Sequence, residues 1–422
     1  MLSTALLILA AGASAQEASP TLRTLHSFAG YPSDGGNPQA GATVGEDGVI
    51  YGVTISGGSG PCTTNSLGCG TVYSLTPPTT PRGPWTESVL HSFGGGSDGA
   101  SPFGGLALGG GVLYGTTTSG GAYNNGTVFS VTPPALPGGA WTEAVLHSFT
   151  GGDDGGDDEA AVAVGKGGVL YGTTTSGGTG PCSMFYSGCG VVFSLTPPAS
   201  PGGVWTETVL YNFGGNGGYS FIPLGLSVGS GGVIYGITAE GGSSGDGTVF
   251  ALKPPAAMGG AWGEAVLYTF TGSNGSFLSG GVAIGSEALY GTADFGGASG
   301  DGTVFSLMPP SSPGGVWTES ILHNFGGADG NRPNGGVVIG AGGVLYGTTA
   351  AGGTSGNGTV FSLTPPTSPS DAWTETILYA FTGASDGSGP QAGVAFGKEG
   401  ALYGTTYYGG GSGFGTVFQL KP

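Results

Sequence analysis

The pair Tyr-Gly occurs seven times in register, at Tyr51, Tyr114, Tyr171, Tyr235, Tyr290, Tyr346 and Tyr403, with 55 to 64 residues between successive copies. A period of this size marks an array of supersecondary units that bury their apolar faces only against one another. The two longest spacings, 63 and 64 residues, contain the chain's two cysteine loops. They are read as insertions in one hairpin of an otherwise constant unit.

One unit holds four strand-like segments. In the second copy these are the short Gly105-Leu106-Ala107-Leu108, then Val112 to Thr117, Gly126 to Val131, and Trp141 to Phe149. Each is rich in β-branched and aromatic residues and is bounded by Gly, Pro, Asn or Asp, the pattern of strands and turns. No later segment has a helical period. Four strands in an antiparallel meander make one blade of a propeller.

The ends of the repeat choose between an open solenoid and a closed ring. Thr21 to Phe28 is a fourth-type strand without its preceding three, and Gly415 to Leu420 is a third-type strand without its fourth. An open solenoid needs polar caps at both ends. The fragments instead complete one another, predicting an all-β, seven-bladed β-propeller of four-stranded antiparallel blades, closed by an N-terminal outer strand. That pairing also removes two exposed sheet edges.

Glycine at 97 positions and proline at 28 would mark low complexity in an aperiodic chain, which the repeat rules out. Only 7 Lys and Arg stand against 25 Asp and Glu, a formal charge of −18. Nucleic acid and anionic membranes are bound through clustered Lys and Arg, so neither is an expected partner. Leu2 to Ala11 is apolar and Ala13-Ser14-Ala15 fits a cleavage site. Residues 1–15 are therefore read as a signal peptide and 16–422 as a single propeller domain, secreted and monomeric. No membrane span or anchor is expected after it.

Cys62 and Cys69 share flanks and spacing with Cys182 and Cys189. An even count in an exported chain predicts disulfides, one in each long hairpin. Zinc is the competing reading, but it uses shorter Cys spacing or a nearby His.

The unit Gly-Gly-Val-Leu-Tyr-Gly-Thr-Thr, a Gly-rich hairpin, Gly-Thr-Val-Phe-Ser-Leu-Thr-Pro and then Val-Leu-His-Ser-Phe resembles the GloVer tandem repeat. The resemblance covers Thr21 to Pro422. It implies an exported bacterial protein with a propeller-like repeat, from a family whose members often carry a surface anchor. It implies no catalytic residue.

In a repeat protein, chemistry is sought where the repeat is broken. All four histidines, His26, His91, His147 and His323, share one position with Tyr211, Tyr268 and Tyr379, which reads as packing with a polar tip. Glu87, Glu143, Glu207, Glu264, Glu319 and Glu375 recur on the fourth strand, where a charge guards an outer edge against aggregation. Each fourth-to-first connection carries Asp or Asn before Gly, an Asx-type turn. The third copy is exceptional, with Asp153, Asp154, Asp157, Asp158 and Glu159 within seven residues. Calcium is the cofactor such oxygens would hold, and a solvated acidic loop is the alternative.

Aromatics that differ between copies gather on the face carrying the fourth-to-first and second-to-third connections. Tyr31, Tyr186, Tyr219, Tyr407 and Tyr408 are the candidate ligand-binding residues there. The innermost strands supply only small or apolar side chains, so a charged clamp in the channel is not expected. The preferred function is a non-enzymatic extracellular binding or surface-interaction module for a neutral glycan or a protein. The alternative is a carbohydrate-active enzyme, a glycoside hydrolase or polysaccharide lyase, using acids among Asp153 to Glu159, Glu240, Asp246, Asp294 and Asp301.

Overall fold

The computed structural model describes residues 20–422 apart from 63–65, 81, 137, 183–187, 201, 215–222, 258, 313 and 369–370. The expected signal peptide, Tyr186 and Tyr219 fall outside the described residues. Seven four-stranded antiparallel sheets are present, each in meander order. Blades are numbered here by their Tyr-Gly pair. Blade 2 comprises Ala107–Gly109, Val112–Thr117, Thr127–Thr132 and Thr142–Ser148. Blade 7 comprises Ala395–Phe396, Leu402–Thr406 and Thr416–Lys421, and its fourth strand is Thr21–Ser27 from the other end of the chain. Their register runs from Thr21 opposite Lys421 to Ser27 opposite Thr416. The ring is closed as the sequence predicts.

Aromatic pairs lock each blade to the next. The Phe ending one fourth strand meets, edge to face, the ring on the next blade's third strand. These pairs run from Phe28–Tyr73, with centroids 5.1 Å apart, through Phe93–Phe129 and Phe149–Phe193 to Phe381–Phe418 at 5.2 Å. Each such contact contributes about 0.5–1.5 kcal/mol beyond its buried area. The glycine of Tyr-Gly exists for this ring. A Cβ on Gly115 would lie 2.5 Å from Phe129, and one on Gly404 2.5 Å from Phe418. Threonine hydroxyls add inter-blade bonds, from Thr116 to the Ala160 carbonyl at 2.9 Å and from Thr405 to the Ala40 carbonyl at 2.8 Å.

A bulge on every fourth strand changes the reading of the recurrent glutamates. In blade 1, Leu75 and Tyr73 face Glu87 and Val89, but Val72 faces His91, so Leu90 is the extra residue. Paired residues share a face, and one inserted residue reverses it. Glu87 therefore points toward the preceding blade, whereas His91 points toward the following one. Glu87, Glu143, Glu207 and Glu375 thus meet the His–Asp pair of the neighbouring blade, while Glu264 meets Tyr211 and Glu319 meets Tyr268 and Asn274. Burial, and then the neighbouring carboxylate of Asp34, Asp98, Asp154 or Asp329, push Glu87, Glu143, Glu207 and Glu375 up to about 7. In all four, Oε1 is buried without a hydrogen-bond partner. The edge-guarding role expected from sequence gives way to a half-buried one.

Cys62 pairs with Cys69 and Cys182 with Cys189, with Cα atoms 5.4 and 5.7 Å apart. Each bridge closes a short loop, so its removal is expected to cost at most about 2–3 kcal/mol. Cys62→Ser with Cys69→Ser should lower the melting midpoint by a few degrees and leave the fold intact, as scanning calorimetry and far-UV circular dichroism would record. No helix among the described residues is long and apolar enough to cross a membrane.

Candidate functional site

The fourth-to-first connection starts with a built turn. Its Asp accepts backbone N–H groups and the tip of the preceding fourth strand. Asp34 takes Ala29 N at 2.7 Å and His26 Nε2 at 3.1 Å, and Asp329 takes Gly326 N at 2.8 Å and His323 Nε2 at 2.9 Å. Where the strand carries Tyr the pairing persists, as in Tyr379 donating to Asp386 at 3.0 Å and Asn274 donating to the Tyr268 hydroxyl at 2.7 Å. The histidines are thus structural partners of the turn. The connection then zips onto the second-to-third connection of the same blade, as in Gly35–Gly36 paired with Ser56–Gly57 and the bridges from Ala100 to Ser119 and Asn331 to Ala351.

Three residues after this Asp or Asn the backbone is left-handed. That position is Asn37, Ser101, Asp157, Phe277, Arg332 and Gly389 in six blades. Two residues further, these six blades each send one side chain to the channel mouth, Gln39, Phe103, Glu159, Ser279, Asn334 and Gln391, and blade 4 adds Leu224. These seven, with Phe277, Asp294 and Arg332, line a cavity of about 710 Å³. The connections above the inner strands deliver the Glu159 carboxylate and the Arg332 guanidinium, and the second strand of blade 5, Leu289–Phe295, delivers Asp294. The expectation of a channel without a charged clamp is therefore corrected.

Asp294 is 4% exposed and accepts the Ser279 hydroxyl. Burial raises its carboxyl to about 6, while Ser279 and the Arg332 charge pull the other way. Arg332 lies 5.3 Å over the Phe295 ring, and Phe295 meets Phe277 edge-on at 6.3 Å. Asn334 donates to Gln391 Oε1 at 2.7 Å, leaving its own Oδ1 buried without a partner. Burial, and then Asp157, also raise Glu159 across the mouth.

The acidic run of blade 3 is pulled apart. Asp153 is exposed, Asp154 holds His147 and Thr150, and Asp157 accepts Ser176 Oγ at 3.1 Å. Asp158 is fully buried on the Ala160 N–H at 3.0 Å, its other oxygen unpartnered, and burial holds its carboxyl well above the usual range. Glu159 alone reaches the mouth. Among the described residues no three His, Cys, Asp or Glu side chains are grouped to hold a metal ion.

Of the described candidate tyrosines, Tyr407 and Tyr408 lie together with centroids 4.5 Å apart. Tyr31 and Tyr408 are 52% and 55% exposed. Tyr31 follows Gly30, which lies against Phe414 of the closing blade. These tyrosines lie at the closure, and none of the three lines the mouth cavity. Glu240, Asp246 and Asp301 do not line it either.

The fold is similar to that of a candidate 6-phosphogluconolactonase from Bacteroides uniformis, at 14% identity over 82% of this chain and 86% of that one, with a TM-score of 0.48. It is similar to the Hadza microbial sialidase Hz136 at 13% identity, over 83% and 71% of the two chains, with a TM-score of 0.46. A glucose dehydrogenase matches at 15% identity, over 95% and 99%, with a TM-score of 0.42. None of the three bears on the chemistry of this chain. No curated protein matches the sequence. The model of the Gloeobacter/Verrucomicrobia repeat matches residues 14–224 and 222–422, and the chain belongs to that family.

Proposed function

We propose that this chain is an exported, non-enzymatic binding propeller that takes the end of a neutral glycan into its channel mouth. The observation that carries this reading is the identity of the left-handed position. Asn37, Asp157 and Gly389 are residue types that adopt this conformation readily, whereas Phe277 and Arg332 are not, and they stand in adjacent blades beside the mouth. A bulky side chain held there costs about 1–3 kcal/mol. Such strain is retained where the side chain has work that the scaffold does not supply.

The chemistry at the mouth suits hydroxyl groups. Asn334 Oδ1 is a buried acceptor without a donor, Asp294 and Glu159 offer further acceptors, and Arg332 supplies donors. Phe277 and Phe103 offer apolar faces for a sugar ring. Secretion fits the two disulfides, which persist in oxidising compartments.

Titration calorimetry with a panel of neutral oligosaccharides tests the proposal. Arg332→Asn should weaken binding tenfold or more while raising the melting midpoint, since it relieves about 1 kcal/mol of backbone strain. Loss of stability in that variant with unchanged affinity would refute the assignment. One observation favours a second reading, a carbohydrate-active enzyme: Glu159 and Asp294 share one cavity and both hold their protons unusually high. A hydrolase needs one protonated and one ionised carboxyl. Release of reducing ends, abolished by Asp294→Asn, would favour it.

A further inference from the structure

Five of the seven blade interfaces are sealed by the same ring contact, and a sixth sets the same two residue types on one apolar cluster. The Trp that precedes a fourth strand lies edge-on against the Tyr of the preceding blade's Tyr-Gly pair. Trp141 meets Tyr51 at 5.9 Å, Trp205 meets Tyr114 at 6.1 Å, and Trp373 meets Tyr290 at 6.1 Å. Trp85 meets Tyr403 at 6.1 Å across the ring closure, and Trp262 meets Tyr171 at 6.2 Å. Trp317 packs on the cluster that holds Tyr235. The seventh interface, between blades 6 and 7, is different. Its fourth strand is Thr21–Ser27, and the residue at the Trp position is Pro20.

Tyr346 therefore lacks an indole. Beside it runs an open groove of about 640 Å³ lined by Ile339, Tyr346, Phe396, Glu399, Lys421 and Pro422. Phe396 occupies a register position that is aliphatic in blades 1 to 6, as at Val44, Val164 and Ile339. Its ring stands against Tyr346 at 5.5 Å, so the groove has two aromatic walls. Lys421 and Glu399 pair at 3.9 Å on its exposed rim.

We propose that this groove is a binding site for a tryptophan side chain presented by another protein. The other six interfaces define what such a Tyr accepts. Residues 1–19 contain no aromatic, and all six tryptophans of the sequence are engaged between blades. A second copy has its tryptophans engaged in the same way, so the partner is a different molecule. An indole offers apolar area with a polar N–H, the combination enriched at protein interfaces.

The full chain is titrated with N-acetyl-tryptophanamide, with N-acetyl-leucinamide as control, and followed by NMR. A lone side chain should bind with a Kd on the order of millimolar. The indole amide should shift the Tyr346 and Phe396 ring signals saturably, and the leucine amide should not. Pro20→Trp should fill the groove, abolish those shifts and raise the melting midpoint. Should that variant fail to fold, Tyr346→Leu should weaken the indole binding tenfold or more. Absent shifts, equal shifts with the leucine amide, or shifts unchanged in the variant that folds would each overturn the proposal.

Discussion

A chain that starts at Ala29 is expected to aggregate at concentrations where the full chain stays in solution, and to lose its single cooperative melting transition. Removing Thr21–Ser27 bares the whole third strand of blade 7, from Thr416 to Lys421. An exposed strand edge is a template for pairing with another chain. The same cut removes Phe28, fully buried against Tyr73 of blade 1. Loss of one buried Phe side chain costs about 3–5 kcal/mol, a large share of the roughly 5–15 kcal/mol by which native proteins are stable. Calorimetry and light scattering check this. A truncated chain with unchanged melting and solubility would mean that the ring does not depend on its closing strand.

Stability should fall as the pH rises from about 4.5 to 7, the reverse of the usual acid lability. Six inter-blade glutamates hold their protons above the ordinary carboxylate range, and Glu87, Glu143, Glu207 and Glu375 reach about 7. Between the ordinary Glu value near 4.5 and that of the fold, the native chain keeps protons that the unfolded chain has released. The native state is then favoured less with each step up in pH. Asp294, raised to about 6, adds to the same slope. Burial lowers His91 and His147, which act oppositely below 6.5 because the unfolded chain takes up their protons first. Asp34 and Asp386 lie below 3.8 and withdraw their contribution only in stronger acid.

Seven raised carboxyls outweigh two lowered imidazoles, so the melting midpoint should be lower at pH 7.5 than at pH 5 by roughly 5 °C. Replacing Glu87, Glu143, Glu207 and Glu375 together by Gln should flatten the profile. A midpoint that climbs from pH 5 to 7.5 would contradict the half-buried placement of these carboxyls.

The ring was legible because its evidence is periodic: Tyr-Gly sets the count, and the strands at Thr21 and Thr416 set the closure. The disulfides were legible from their shared spacing and even count. The orientation of Glu87 was not, because one bulge residue at Leu90 reverses the face and nothing in the composition of Val-Leu-His announces it. The mouth was missed for a related reason. Sorting residues by connection brought out Tyr31, Tyr407 and Tyr408, whereas counting five residues from the Asp of each connection picks out Gln39, Phe103, Glu159 and Asn334. That register was present in the sequence. The left-handed turn that aims it became visible only in three dimensions.

The closing strand also sets a waiting time. Thr21–Ser27 is made first, yet its partner, Thr416–Lys421, is made nearly four hundred residues later. At synthesis rates of about 5–20 residues per second, that interval is roughly 20–80 s. Throughout it the leading strand lacks the strand it pairs with, and the most recently finished blade still offers one bare flank. Any growing chain in the same compartment presents an equivalent flank. The leading strand of one molecule and the trailing edge of another are then interchangeable, so the natural misassembly of this ring is an exchange of first strands between neighbouring copies.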